Sequence, residues 1–149
     1  MMAPDLQLLF RLWVSIGAWR RKNIATKILI VDDEELILDL ISEALTDEGY
    51  ECLVASSVDD AVEIVKTTPG IVIVITDLKM PGKTGADLIK VIETQCDPSI
   101  RFIIMSGHGS PRIEGNGIDI ASYPFLRKPL SIEALLETIS SVLETKESQ

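Results

Sequence analysis

The chain has 149 residues, 46% apolar, 25% charged and 5% aromatic, with a formal charge of −9, which suits one compact acidic domain and leaves no room for a second. A chain of this length buries roughly 70% of its unfolded surface, so it needs neither disulfides nor a structural metal to hold a core. Cys52 and Cys96 show no CxxC spacing and only His108 is at hand to join them, which makes a zinc site improbable and reads as two buried, reduced thiols of a cytosolic protein.

The charge is unevenly placed. Residues 1–26 carry Arg11, Arg20, Arg21 and Lys22 against Asp5, net +3, whereas residues 27–149 carry 10 bases against 22 acids, net −12. The body repels nucleic acid, and no basic stripe, helix-turn-helix or zinc-finger spacing speaks for direct DNA readout.

Residues 6–19 are apolar except for a stripe at Gln7, Arg11, Ser15 and Ala18, whose spacing places it on one helical face. At 1.5 Å per residue such an amphipathic helix is about 21 Å long, short of the ~30 Å hydrocarbon layer, so it does not cross a membrane. Its bases follow the apolar run instead of preceding it, unlike a secretory signal. With Trp13 and Trp19 it suits peripheral contact with an anionic membrane, contact with a partner chain, or an unremarkable N-terminal extension.

From Lys27 the pattern becomes short β-branched runs alternating with amphipathic stretches, the signature of βαβ units. Strands are expected at 27–31, 51–55, 71–76, 101–105 and 123–126; the third and fourth lack polar alternation, as strands covered on both faces do. The stretch 34–48 places Leu36, Ile37, Leu40, Ile41, Ala44 and Leu45 on one helical face and stops at Gly49, a natural C-cap. Helices follow at 58–67 and at 85–95, the latter with Leu88, Ile89 and Ile92 inward. Ser131 caps a last helix with Ile132, Leu135, Leu136, Ile139, Val142 and Leu143 toward the sheet, and a frayed polar tail is expected past Glu144. The link 107–121 contains Gly107, Gly109, Gly115, Gly117 and Pro111; at about 1 kcal/mol per interior glycine, the fourth helix expected there is weak or absent. The fold class is α/β, a doubly wound five-stranded parallel sheet of order 2-1-3-4-5, flavodoxin-like. The body spans 27–146, between the extension 1–26 and the tail 147–149.

Asp32 and Asp33 leave the end of the first strand and Asp77 the end of the third. These strands are neighbours in the order 2-1-3-4-5, so the carboxylates converge at the topological switch point, where open α/β sheets bind ligands. Like charges about 4 Å apart repel by roughly 4 kcal/mol at an effective dielectric of 20, so the cluster needs a cation, and an oxygen-only donor set suits magnesium. The plainer reading is that Asp32 and Asp33 merely cap the following helix. Ser106 and Lys128 at the ends of the fourth and fifth strands shift the balance. A hydroxyl and an ammonium facing the acids are suited to hold the oxygens of a phosphoryl group on Asp77.

In its motifs Ile-Leu-Ile-Val-Asp-Asp at 28–33, Ile-Thr-Asp-Leu-Lys-Met-Pro-Gly at 75–82, Ile-Met-Ser-Gly at 104–107 and Phe-Leu-Arg-Lys-Pro at 125–129, the chain resembles the receiver domain of two-component response regulators over about residues 27–145. The resemblance implies that Asp77 is the phosphoacceptor and Asp33 a direct Mg2+ ligand, with Asp32 acting through water and Lys79 through its backbone carbonyl. Ser106 would swing toward the phosphoryl group, Lys128 would pair with it, Phe125 would be the aromatic switch residue, and Lys128-Pro129 would be a cis peptide. It further implies a sensor histidine kinase or phosphotransfer protein as donor. The domain would self-phosphorylate and slowly dephosphorylate but would not be an enzyme in the usual sense. It would signal by protein contact or serve as a relay or sink, as a single-domain regulator in the cytoplasm.

Lys79 and His108 would occupy the positions that tune phosphoryl loss, although a lone loop histidine is more simply solvated. The glycine-rich link departs from the family's usual fourth helix, which puts a standard helix-mediated dimer in doubt and makes an order change in 107–121 a substitute readout. Two rivals are a non-switching pseudo-receiver and an aspartyl-nucleophile phosphatase. The phosphatase needs an aspartate where Lys79 stands.

Overall fold

The computed structural model describes Asp5, Gln7, residues 26–107 and residues 116–147. Five strands, β1 (Lys27–Val31), β2 (Glu51–Ala55), β3 (Ile71–Asp77), β4 (Arg101–Ser106) and β5 (Phe125–Arg127), form one parallel sheet ordered β2-β1-β3-β4-β5. Around it lie α1 (Glu35–Asp47), α2 (Val58–Thr67), α3 (Gly85–Val91) and α4 (Ile132–Glu147). The amphipathic segment 6–19 lies outside the described residues, apart from Gln7. Among the described residues no helix is long and apolar enough to cross a membrane.

Side chains alternate across the pleat, so each central strand feeds two cores. Leu29 and Val31 of β1, Val74 of β3 and Ile104 of β4 pack against α2 and α3. Ile28 and Ile30, Ile73 and Ile75, and Ile103 and Met105 pack against α1 and α4. Burial on both faces explains why the third and fourth runs carry no polar alternation.

Local signals set the helix boundaries. Gly49 has φ +95° and ends α1 in a Schellman arrangement, its amide donating to Thr46 and that of Tyr50 to Leu45. The Ser57 hydroxyl accepts from the Asp60 amide at the start of α2, and Ser131 does the same for Ala134 before α4. Asp97 donates to Ile92, so α3 ends in a π-turn, Ile92–Cys96.

Several expectations need correction. The buried stripe of α1 is Leu38, Ile41 and Leu45, with Ile37 at its margin, whereas Leu36 is 83% and Leu40 48% exposed. Apolar residues surround this helix on more than one side, so spacing alone left the stripe's phase open. Strand β5 begins at Phe125, not Tyr123, because Tyr123 closes a 3-10 turn (Ile120–Ser122) by donating to Ile120, and Pro124 has no amide to pair. Helix α4 runs to Glu147, past the expected end. Cys52 and Cys96 are free but only half-buried. In the β4–β5 link, the described residues contain that 3-10 turn and no α-helix; His108, Gly109, Pro111 and Gly115 lie outside the described residues.

Candidate functional site

The site grows out of the sheet register. Val31 lies opposite Thr76 and Asp77 opposite Met105, so one step beyond the end of β1 Asp32 comes level with the end of β3. Ligand atoms of Asp32, Asp33 and Asp77 all lie within 4.8 Å of one another. Asp32 is fully buried and Asp77 nearly so, whereas Asp33 is exposed. A buried hard-oxygen cluster with one solvent-facing member fits a small divalent cation that keeps part of its water shell.

Lys128 reaches this cluster from the far side. Its Nζ donates to Asp32 Oδ2 at 2.7 Å and lies 3.4 Å from Asp77 Oδ2 and 3.6 Å from Glu34 Oε1. Its backbone amide donates to the Ser106 carbonyl at 2.9 Å, tying the ends of β4 and β5 together. The Lys128-Pro129 peptide is cis. Ser106 is buried at the end of β4, one residue past the partner of Asp77, and Phe125 starts β5 half-buried.

The alternative role for Asp32 and Asp33, capping α1, accounts for one oxygen. Asp32 Oδ1 accepts from the Glu34 amide at 2.9 Å, while the formal N-cap, Glu34, makes no side-chain cap bond. The other oxygen of Asp32 is turned to Lys128, which a helix cap does not need.

Burial raises the pKa of Asp77 above its ordinary 3.8; the Lys128 charge lowers it, the Asp32 charge raises it again, and the Lys79 amide, by hydrogen bonding, lowers it. Burial works against the Lys128 ammonium, but the hydrogen bond to Asp32 and the charges of Asp77 and Asp32 outweigh it and raise its pKa. The notch therefore holds an ionised base among acids that repel one another.

The loop after Asp77 is held by a constraint that the sequence reading missed. A Cβ on Gly85 would stand 2.5 Å from the Asp77 carbonyl oxygen, and the Gly85 amide donates to Leu78 at 2.8 Å. Only glycine lets α3 start so close to β3. Thr84 and Asp87 form a reciprocal capping box, Thr84 N to Asp87 Oδ2 at 2.8 Å and Asp87 N to Thr84 Oγ1 at 3.2 Å. The signal was present as Thr-x-x-Asp.

The family model described as the response regulator receiver domain matches residues 28–140. Sporulation initiation phosphotransferase F of Bacillus subtilis is 31% identical over 121 residues, covering 80% of this chain and 95% of that protein. A putative NtrX-like response regulator of Rickettsia typhi is 33% identical over 119 residues, 78% of this chain but 25% of its own length, so the chain spans about a quarter of such relatives. Among solved structures, a response regulator receiver domain protein of Clostridium thermocellum has a TM-score of 0.69 at 32% identity, covering 82% of this chain and 97% of the other. A chemotaxis response regulator of Vibrio cholerae has 0.70 at 28%, covering 78% and 98%.

Proposed function

Because the chain belongs to the response regulator receiver domain family of two-component systems, we propose that it is a phosphorylatable switch whose acceptor is Asp77. The observation that carries this reading is the placement of Lys128 between Asp32 and Asp77, with Asp33 open to solvent beside them. In this reading a carboxylate oxygen of Asp77 attacks the phosphorus of a phosphohistidine on a sensor kinase or phosphotransfer protein. An O–P bond forms, the N–P bond breaks, and the imidazole nitrogen keeps the electron pair.

Asp33 and Asp77 would hold Mg2+ directly, Asp32 through water and Lys79 through its carbonyl; when bound, the ion supplies positive charge to the phosphoryl oxygens. Lys128, already charged and already in the notch, would exchange carboxylate partners for a phosphoryl oxygen, and Ser106 would donate to another. Contacts available only in the phosphorylated state would favour a second packing of Ser106 and Phe125, which is the switch.

The name of the Bacillus subtilis relative supports a relay role, in which Asp77 passes its phosphoryl group onward. Transfer of one phosphoryl group to the protein itself, with slow hydrolysis, is not turnover of a substrate, so in this reading the chain acts as a signalling component and not as an enzyme. The test is intact mass after incubation with Mg2+ and acetyl phosphate. Wild type should gain one phosphoryl mass and Asp77→Asn none; equal labelling of the two removes Asp77 from this role.

A further inference from the structure

Asp87 stands away from the acidic notch, yet its carboxylate joins the two pieces of chain that frame it. Oδ2 accepts from the Thr84 amide, closing the loop that begins at Asp77, while Oδ1 accepts from Asn116 Nδ2 at 3.2 Å, across 29 positions of sequence. Asn116 is held in turn: its carbonyl accepts from Lys90 Nζ at 2.9 Å and its side-chain oxygen from the Ile118 amide at 3.1 Å. Ile118 and Ile120 then enter the core on the same face of the sheet as Leu88 and Ile89, and Tyr123 closes the segment by donating to Glu93 at 2.6 Å. The far end of the Asp77 loop and the segment leading to Phe125 and Lys128 thus share one carboxylate.

A helix cap alone needs one oxygen of Asp87; the second serves Asn116. The loop it closes is tight, since Gly85 abuts the Asp77 carbonyl and its amide returns to Leu78. A shift at Thr84 therefore passes through Gly85 to Leu78 and the Asp77 carbonyl, against which Gly85 is packed. We propose that Asp87 is a positioning residue for the phosphoacceptor loop, and that its tie to Asn116 holds the β3–α3 loop and the segment 116–124 ahead of β5 in the relative placement that cation binding at Asp77 requires. The inference rests on the reading of the acidic notch as a Mg2+ site and adds a residue that touches neither ion nor phosphoryl group.

The test uses the full chain and two variants, Asn116→Ala, which leaves the capping box whole, and Asp87→Asn. Ser57→Ala, which removes the comparable cap of α2, is the control. Calorimetric titration with MgCl2 should show binding weakened about threefold to tenfold in both variants, and amide exchange at Leu78 and Gly85 should accelerate. Ser57→Ala should lower Tm yet leave Mg2+ affinity and those two amides at wild-type values. Wild-type affinity and exchange in both variants overturns the inference, as does a control that shifts Mg2+ binding equally. If the wild type binds no Mg2+, the site reading fails by itself, and the exchange of Leu78 and Gly85 still decides whether Asp87 and Asn116 hold the loop.

Discussion

Lys128 and Asp32, 96 positions apart in sequence, meet at 2.7 Å in a pocket where the carboxylate is fully buried. The pair holds the notch together while no other cation is bound, because three acids converge there and one ammonium is the counter-charge nearest to hand. Removing it should be expensive: Lys128→Met is expected to lose about 3 kcal/mol of stability, read by urea unfolding in EDTA. Added Mg2+ should restore part of that loss, since it supplies the missing positive charge.

Mg2+ should itself stabilise the wild type. At a concentration 100 times Kd the gain is about 2.7 kcal/mol, visible as a rise in Tm with MgCl2. Asp33→Asn should show no such rise, because it removes a carboxylate proposed to hold the ion directly, while the fold is retained since Asp33 is the exposed member of the cluster.

The pH response follows from Asp77. Its folded pKa lies above its ordinary value of 3.8, first because burial penalises the charged form. Between those two values the folded chain binds more protons than the unfolded one, so this carboxyl's contribution falls as pH rises through that window. Asp77→Asn removes the titrating group. Its Tm should lack that fall and, without divalent cations at pH 7, should exceed that of the wild type. A lower Tm for Asp77→Asn at pH 7 would contradict the assignment of burial as the dominant influence.

Gly85→Ala should damage both fold and site. The added methyl meets the Asp77 carbonyl oxygen at 2.5 Å, so β3 or α3 must retreat. A cost of about 1–3 kcal/mol is expected, together with slower labelling by acetyl phosphate. Unchanged labelling would show that the loop tolerates the displacement.

The corrected phase of α1 is equally open to measurement. Leu38→Ala should cost about 2–5 kcal/mol, whereas Leu36→Ser, at a residue 83% exposed, should stay within about 0.5 kcal/mol. Equal costs would restore the broader apolar face.

Strand order, the helix boundaries at Gly49 and Ser131, and the convergence of Asp32, Asp33 and Asp77 were legible in the chain because each has a short-range cause. β-branched runs without polar alternation mark doubly covered strands, Gly49 marks a left-handed cap, and carboxylates placed at adjacent strand ends have only one edge to share. The burial of Leu38 in place of Leu36, and the start of β5 at Phe125, were not legible. The first depends on which side of α1 the sheet covers, of which periodicity carries no record; the second depends on the 3-10 turn that Tyr123 closes, although Pro124, with no amide to pair, was a local sign of it.

The amino-acid sequence by itself determined the parallel sheet, the edge at which chemistry gathers and the residue types that gather there, because these follow from local propensity and from the alternation of side chains along a strand. Only the tertiary structure decided the partners. It turned Lys128 onto Asp32 as well as Asp77, closed Gly85 against the Asp77 carbonyl, and gave Asp87 its second contact in Asn116. Such pairings join residues far apart in the chain, and their distances are set by how helices seat on the sheet. That seating is the sum of many weak contacts and is encoded in no single motif.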